Sequence, residues 1–220
     1  MNLKYAHTPV VFVVDGDASV RNALQCLIRS AGWEARTAAC AEEFLRQERV
    51  TTSSCLLVEL DLPQASGLEL QRLVADRTDM PVIFMSARAD IHATVRAMKG
   101  GAFEFLTKPI VSEVLLDAIR GALERSHAAL HQLVQIHALQ ERYESLSRRE
   151  REVMSLLVRG RLNKQVGGEL GISEITVKAH RGRMMRKMRA SSFAELVTMA
   201  GSLRTSVGAS VAHFAAPLPS

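Results

Sequence analysis

Polar side chains stand at the ends of successive apolar runs in the first half of the sequence. Two acids follow the run VVFVV, a glutamate closes CLLVE, a serine follows PVIFM and a lysine follows GAFEFLT. Carboxylate oxygens suit a hard cation such as Mg²⁺, while a lysine and a hydroxyl suit the oxygens of a phosphoryl group. One acid at a strand end is an ordinary loop residue, but five such residues at one edge indicate a site. The five are Asp15, Asp17, Glu59, Ser86 and Lys108.

The apolar runs alternate with stretches whose apolar residues recur at helical spacing. This alternation predicts an α/β fold, a parallel sheet with helices on both faces. In such a sheet the ligand site lies at the carboxyl ends of the strands, where the five polar residues would meet. The predicted strands are Val10–Val14, Trp33–Thr37, Cys55–Glu59, Pro81–Met85 and Ala102–Leu106, and the helices between them are Ala18–Ala31, Ala41–Glu48, Leu68–Asp76 and Ile91–Lys99.

No proline or turn cluster interrupts the chain between Ser112 and Ser145, which predicts one helix of about 33 residues and about 50 Å. Its apolar residues begin as a heptad seam and then shift register, as in a three-residue stammer. The helix either packs on its own domain or pairs with a partner helix, and for the distal half the seam favours a partner. The seam comprises Leu116, Ile119, Leu123, Leu130 and Leu133, with Ser126 in one slot, and then Ile136, Leu139, Tyr143 and Leu146.

Charge is divided unevenly along the 220 residues. Residues 1–146 carry 15 lysines and arginines against 18 acids, a net charge of −3, whereas residues 147–220 carry 13 against 5, a net of +8. One acidic and one basic part predict two domains with different partners, and a basic surface is typical of nucleic-acid binding.

The composition favours a cytoplasmic protein with no membrane span. No uncharged apolar run reaches about 18 residues, and the N-terminal segment lacks the features of a signal peptide. Three cysteines without metal-ligand spacing, Cys26, Cys40 and Cys55, are interpreted as buried free thiols in a reducing compartment.

The basic part of the sequence predicts four short helices between Ser147 and Leu203. Gly160 and Gly171 would end the first two, and Ser173 would cap the third. The segment NKQVGGELGIS followed by a basic helix is a helix-turn-helix pattern, so a recognition helix in the major groove is favoured over a solvated basic surface. In that helix Val177, Met184 and Met188 would be buried, and Lys178, Arg181, Gly182, Met185 and Arg189 would point outward.

Four segments, VFVVDGDASVRNAL, CLLVELDLPQASGLEL, PVIFMSARADI and GAFEFLTKP, resemble the receiver domain of bacterial two-component response regulators. The resemblance covers about residues 9–125. It implies a flavodoxin-like, doubly wound five-stranded parallel sheet and an aspartate that accepts phosphate from a histidine kinase. It also implies an acidic pair for Mg²⁺, a hydroxyl at Ser86, a lysine at Lys108 and a switch aromatic at Phe105.

Two positions depart from the receiver pattern. The phosphoacceptor position is Glu59 rather than aspartate, and Gly16 replaces the second acid of the pair. A longer carboxylate and a missing ligand both weaken Mg²⁺ binding, because this ion tolerates little distortion of its octahedral shell. We therefore expect no cofactor, with Asp15, Asp17, Glu59 and Asp61 as weak metal candidates. Glu59 either imitates part of a phosphate and holds an active-like state, or pairs with Lys108 and leaves the domain inactive.

The segment from LSRREREV to FAELV resembles the DNA-binding domain of LuxR/NarL/FixJ-class regulators, over about residues 146–203. The resemblance implies that Lys178, Ala179 and Gly182 face base edges, and that Lys164, Thr176, Arg181, Arg183 and Arg186 contact phosphates or neighbouring bases. His180 has either a packing role or a DNA contact. Gly167 and Gly168 stand where the family favours alanine, and each costs up to about 1 kcal/mol of helix stability. Few direct base contacts are expected, offset by a dimer on two half-sites.

Together these features predict an atypical response regulator of the FixJ/NarL type, a transcription regulator and not an enzyme. The expected parts are a receiver at 1–125, a helical linker at 126–145, a small all-α four-helix domain at 146–204 and a mobile tail at 205–220. The expected partners are double-stranded promoter DNA, a second copy of the chain and signalling proteins such as a histidine kinase. Two alternatives stay open: a conventional phosphorylation switch using Glu59 or Asp61, and a protein-interaction module with vestigial DNA binding, which a steep salt dependence of selective binding would exclude.

Overall fold

The computed structural model describes residues 8–63, 65–87 and 90–208. The chain forms two compact units, one extending to His131 and the other beginning at Gln132. A search of the described residues finds no helix that is both long and apolar enough to cross a membrane.

The first unit is built on a five-stranded parallel sheet. Its strand order is β2-β1-β3-β4-β5, the flavodoxin-like order that the receiver resemblance implies. The observed β2 and β5 begin one and two residues later than predicted, because Trp33 and Ala102 belong to the turns that precede them. The strands are β1 (Val10–Val14), β2 (Glu34–Ala38), β3 (Ser54–Glu59), β4 (Val82–Ser86) and β5 (Glu104–Thr107). The helices are α1 (Ala18–Ser30), α2 (Ala41–Leu45), α3 (Gly67–Leu73), α4 (Ile91–Lys99) and α5 (Ser112–Glu144).

Each face of the sheet has its own core. Phe12 and Phe84 lie on the face covered by α2, α3 and α4, whereas Val13, Leu57 and Ile83 lie on the face covered by α1 and the start of α5. Both faces are covered, so β1, β3 and β4 are continuous apolar runs rather than alternating ones. The first polar positions at the carboxyl edge are therefore the residues that end or directly follow these strands.

Helix α5 is continuous, as predicted, but its apolar seam is not. Ile119 and Leu123 are buried in the first unit, whereas Leu139 and Leu146 are buried in the core of the second. The preference for a partner helix along the distal half is therefore wrong at Leu139 and Leu146, because the second unit uses those residues in its own core, whereas the proximal half packs on its own domain. Between them, Leu133 and Val134 are 47% and 68% exposed, as are several of their neighbours.

Ser126 fixes α5 to the first unit. Its hydroxyl donates to the carbonyl oxygen of Asp79 at 2.5 Å and accepts the backbone N–H of Ser54 at 2.9 Å. Ser126 has no measurable exposure, and its hydroxyl forms hydrogen bonds with these buried segments. This is why a polar residue interrupts the apolar pattern here.

The second unit follows the prediction of four helices within the described residues. They are α6 (Arg148–Leu157), α7 (Asn163–Leu170), α8 (Glu174–Met188) and α9 (Phe193–Gly208). Gly160 and Gly171 adopt positive φ angles of 85° and 65° after α6 and α7, and the Ser173 hydroxyl caps α8. The predicted tail begins too early, because α9 continues to Gly208; residues 209–220 lie outside the described part of the chain.

The cysteine prediction holds for one residue of three. Cys55 is buried in β3, and burial raises the pKa of its thiol far above the ordinary value. Cys26 is exposed on α1, and Cys40 is half-buried before α2. The expectation of three buried thiols is wrong because an apolar sequence context on a helix does not determine which way one side chain points.

Candidate functional site

Three strand ends bring a lysine between two carboxylates. Asp15 follows β1, Glu59 ends β3 and Lys108 follows β5. The Lys108 Nζ donates to Asp15 Oδ2 at 2.8 Å and contacts Glu59 Oε2 even more closely. The three side chains are 4%, 11% and 25% exposed for Asp15, Glu59 and Lys108 respectively. We refer to these three residues as the lysine triad.

The triad holds Lys108 in its charged form. Burial lowers the pKa of this lysine, but hydrogen bonds and charge interactions with Asp15 and Glu59 outweigh burial, so the pKa lies above its ordinary value of 10.5. A lysine with a raised pKa contributes stability that is fully present below 10.5 and is lost as pH rises through the folded value. At neutral pH the ion pairs are therefore complete.

Backbone groups occupy the other oxygens of the triad. Asp15 Oδ1 accepts the N–H of Asp17 at 2.8 Å, and Glu59 Oε1 accepts the N–H of Leu60 at 3.0 Å. The Arg21 guanidinium, from α1, donates to the backbone carbonyl of Asp15 at 2.7 Å. No role for Arg21 was predicted from the sequence. The feature that could have indicated it is a long basic side chain in the first turn of the helix that follows β1.

The remaining predicted members take other positions. Asp17 is exposed, and its Oδ1 accepts the N–H of Ser19 at 2.8 Å, which caps α1. Ser86 is buried at the end of β4, and its carbonyl oxygen accepts the N–H of Lys108 at 2.8 Å. Asp61 is exposed in the loop after β3. The sequence thus identified the edge correctly, but Asp17 is used as a helix cap because the turn after β1 leads directly into α1.

The residues present do not fit a receiver magnesium ion. A search of the described residues finds no group of three or more Asp, Glu, His or Cys side chains arranged to hold a metal ion. A side chain at Gly16 would also be crowded, since its Cβ would lie 2.9 Å from Pro63 Cγ and 3.0 Å from Pro63 Cδ. The proline ring thus occupies the space beside the position where the family has its second acid.

The aromatic residue predicted as the switch, Phe105, lies beside the sheet core. Phe105 is half-buried on β5, and its ring stacks on that of Phe84 with centroids 6.1 Å apart and planes 25° apart. Phe84 is fully buried on β4, two residues before Ser86, and Phe105 comes three residues before Lys108. Phe105 therefore packs against the core close to the strand ends that carry the pocket residues.

The second unit presents a basic surface on α7 and α8. Val177, Met184 and Met188 are fully buried, as predicted, and leave the opposite side of α8 to solvent. Of the predicted DNA contacts, the exposed ones are Lys164, Lys178, Ala179, Gly182, Arg183 and Arg186. Lys178 Nζ lies 3.2 Å from Glu174 Oε1 on the same helix.

Two residues of α8 differ from their predicted placement. Arg181 and Met185 were expected to point outward, but both are half-buried: the Arg181 guanidinium lies 5.1 Å from the Phe193 ring centroid, and Met185 packs against the helical core. Both lie near the edge of the buried stripe, where long side chains turn toward apolar neighbours. The half-buried Thr176 has its hydroxyl 2.8 Å from that of Ser173, at the cap of α8.

Sequence reasoning missed a buried carboxylate in the second unit. Glu150 is 3% exposed; it accepts the Ser147 N–H at 2.9 Å and receives Lys187 Nζ at 2.7 Å. Burial raises the pKa of Glu150, but the bonds from Lys187 and Ser147 outweigh burial and hold the pKa below its usual range. The motif Ser147-x-x-Glu150 is a capping box, and this pattern in the sequence could have predicted that Glu150 bonds the start of α6.

The architecture is that of a response regulator. The model "Response regulator receiver domain" matches residues 11–120, and the model "Bacterial regulatory proteins, luxR family" matches residues 144–200. The chain belongs to the LuxR/FixJ family of DNA-binding transcriptional response regulators.

Relatives of similar length share both domains. The chain is 44% identical to "Nodulation protein W" of Bradyrhizobium diazoefficiens, over 88% of this chain and 86% of that protein. It is 35% identical to "Transcriptional regulatory protein FixJ" of Rhizobium meliloti, over 86% of this chain and 94% of that one. The solved structure "Low Resolution Structure of Response Regulator StyR" superimposes with a TM-score of 0.76 at 43% identity, covering 89% of this chain and 99% of that one. The relatives named as regulators fit a role in transcription rather than in catalysis.

Proposed function

We propose that this response regulator controls transcription without phosphorylation of its receiver. The observation that carries the proposal is the occupied lysine: Lys108 Nζ is bound by Asp15 and Glu59. Two carboxylates and one ammonium leave the triad with a net charge of −1 in a largely buried place. A phosphoryl group brings about two further negative charges. Without a metal ion to offset that charge, its entry is unfavourable.

The two interpretations of Glu59 differ in whether DNA binding depends on the Ser86 hydroxyl. If Glu59 imitates a phosphate, the Ser86 hydroxyl belongs to the active-like state, and Ser86→Ala weakens DNA binding by the full-length protein. If Glu59 only pairs with Lys108, the same variant leaves DNA affinity unchanged. Contact of the Glu59 carboxylate with Lys108 supports either interpretation, so DNA affinity of Ser86→Ala separates them.

The regulator acts on promoter DNA as a homodimer in the cytoplasm, where bacterial DNA lies. Two apolar surfaces support dimer formation. One is the stretch of α5 between the two cores, with Leu133 and Val134 exposed. The other is on α4, where Ile91, Val95 and Met98 recur at helical spacing and are 76%, 44% and 44% exposed. Surfaces of this kind on separate elements favour self-association over exposure to water.

Light scattering of the full-length protein tests both parts of the proposal. We expect a dimer whose mass and DNA affinity do not change when Mg²⁺ and beryllofluoride, a phosphate mimic, are added. Leu133→Lys with Val134→Lys is compared with Ile91→Lys with Val95→Lys, and the pair that yields a monomer identifies the contact. A monomer that dimerises only with the mimic would restore the conventional switch as the correct function.

Restoring the receiver chemistry provides the matched test. Glu59→Asp with Gly16→Asp returns the two acids, but the new Cβ at position 16 is crowded by the ring of Pro63, 2.9 Å away. Adding Pro63→Ala removes that crowding. We expect Mg²⁺-dependent phosphorylation by acetyl phosphate in the triple variant and none in the wild-type protein. Phosphorylation of the wild-type protein at Glu59 or Asp61, located by mass spectrometry, would contradict the proposal.

A further inference from the structure

The side of α8 opposite its buried stripe carries an unusual set of residues. An α-helix turns 100° per residue, so positions separated by four, three and four residues share one face. The residues of this face are Ile175, Ala179, Gly182 and Arg186, all of them exposed. The face is nearly opposite Val177, Met184 and Met188, which anchor the helix in the core. Its geometry therefore directs this stripe at the major groove when α8 docks on DNA.

Only one member of the N-terminal part of this stripe can reach outward. Ala179 carries a methyl group, and a Cβ built on Gly182 would meet no atom within 4 Å. Ile175, in the first turn of α8, is 80% exposed, the largest exposed fraction among the large hydrophobic residues that the structure describes. In a docked helix-turn-helix the N-terminal residues of the second helix contact base edges. Ile175 is thus placed where bases are read, and the flat surface behind it lets the backbone come close.

The chemistry of isoleucine determines what it can read. The side chain has neither donor nor acceptor, and burying it against a polar base edge would desolvate that edge without forming a hydrogen bond. The major groove presents one apolar group, the C5-methyl of thymine. Contact between the two removes apolar surface from water on both sides.

We infer that Ile175 contacts a thymine methyl group and makes thymine preferred at one position of the DNA site. This assignment differs from the contacts implied by family resemblance, which fall on Lys178, Ala179 and Gly182. The charged neighbour Lys178 lies to one side, paired with Glu174. A direct apolar contact therefore supplies sequence information on a surface that otherwise offers few groups for base hydrogen bonds.

The test uses full-length protein and DNA that differs by single methyl groups. A preferred duplex is first selected from randomised sequence, and each thymine is then replaced in turn by deoxyuridine, which removes only the C5-methyl. We expect one replacement to weaken binding of the wild-type protein by about fourfold, the scale of one buried methyl group. The variant Ile175→Ala is expected to bind the unmodified duplex about as weakly and to be insensitive to that same replacement.

The control separates base reading from general affinity. Lys164→Ala removes an exposed cation outside the stripe, so it should weaken binding to every duplex and reduce the salt dependence, while keeping full sensitivity to the critical deoxyuridine. Circular dichroism confirms that the Ile175 variant is folded, which its exposure predicts. The inference is overturned if no single deoxyuridine matters, if Ile175→Ala keeps the wild-type sensitivity, or if this variant weakens all duplexes equally.

Discussion

Replacing Lys108 by methionine should destabilise the receiver unit by an amount that the triad geometry sets. The variant keeps the volume of the side chain but leaves Asp15 and Glu59 without their shared cation. Both carboxylates bound the same nitrogen, so their facing oxygens are within about 5 Å of each other and repel by about 3 kcal/mol at an effective dielectric constant of about 20. We expect a cost of about 3 kcal/mol at pH 7, near the lower end for breaking a buried ion pair.

Urea unfolding followed by tryptophan fluorescence measures this loss of stability in the receiver unit. Trp33 is the single tryptophan of the chain and is 9% exposed in the receiver core, so its signal reports unfolding of that unit. The matched control is Arg46→Met, which removes an exposed ion pair with Glu42 at 3.1 Å in the same unit. An exposed pair contributes at most about 1 kcal/mol, so the control should change little.

One further measurement decides whether the cost comes from the triad. Adding Glu59→Gln should recover about 1–2 kcal/mol, since one of the two unpaired charges is removed. A cost below about 1 kcal/mol, or no recovery in the double variant, would refute the picture of a closed pocket in which Lys108 stabilises both carboxylates.

Substitutions at four other positions test the remaining packing arguments. Gly168→Ala should stabilise the DNA-binding unit by up to about 1 kcal/mol, because a Cβ there meets no atom within 4 Å. Gly167→Ala should destabilise the same unit, because its Cβ would lie 2.7 Å from the backbone oxygen of Ile172. Thermal unfolding of the two variants compares these effects. Glu150 has a lowered pKa, so its stability is present above its ordinary value of 4.5 and is lost as pH falls through the folded value; circular dichroism of Glu150→Gln should show less of this acid loss. Ser126→Ala removes the hydroxyl from one buried and one partly buried backbone group and should cost about 1–3 kcal/mol by Trp33 fluorescence, while Ser126→Cys should restore little.

Strand ends and buried stripes were readable in the sequence because they follow from periodicity. The sheet, the helix-turn-helix and the burial of Val177, Met184 and Met188 needed only the spacing of apolar residues. The convergence of Asp15, Glu59 and Lys108 also followed, because parallel strands put their carboxyl ends at one edge.

Other features depended on contacts between distant segments. Pro63 crowds Gly16 from a different loop, and the hydrogen bonds of Ser126 connect three separate segments of the chain. No local sequence pattern predicts such contacts. The seam of α5 misled for a related reason: apolar spacing shows which face is buried, but not whether its partner is a second copy or the protein's own core. Arg181 shows that helical position alone does not predict where a long side chain lies. Its position on α8 faces partly toward solvent, but its guanidinium lies over the ring of Phe193.

The two departures of the receiver act on the same charge balance. In the family pattern a metal ion offsets the acids and the incoming phosphoryl group, and the lysine remains to contact that group. Here Gly16 removes one acid, Pro63 lies over its place, and the longer Glu59 reaches the lysine directly. The pocket therefore pairs its lysine internally, and the carboxylate at the acceptor position provides one of the two contacts. The single change Glu59→Asp would shorten the side chain that makes this contact without returning the metal ligands, so it should yield neither phosphorylation nor the stability of the present pocket.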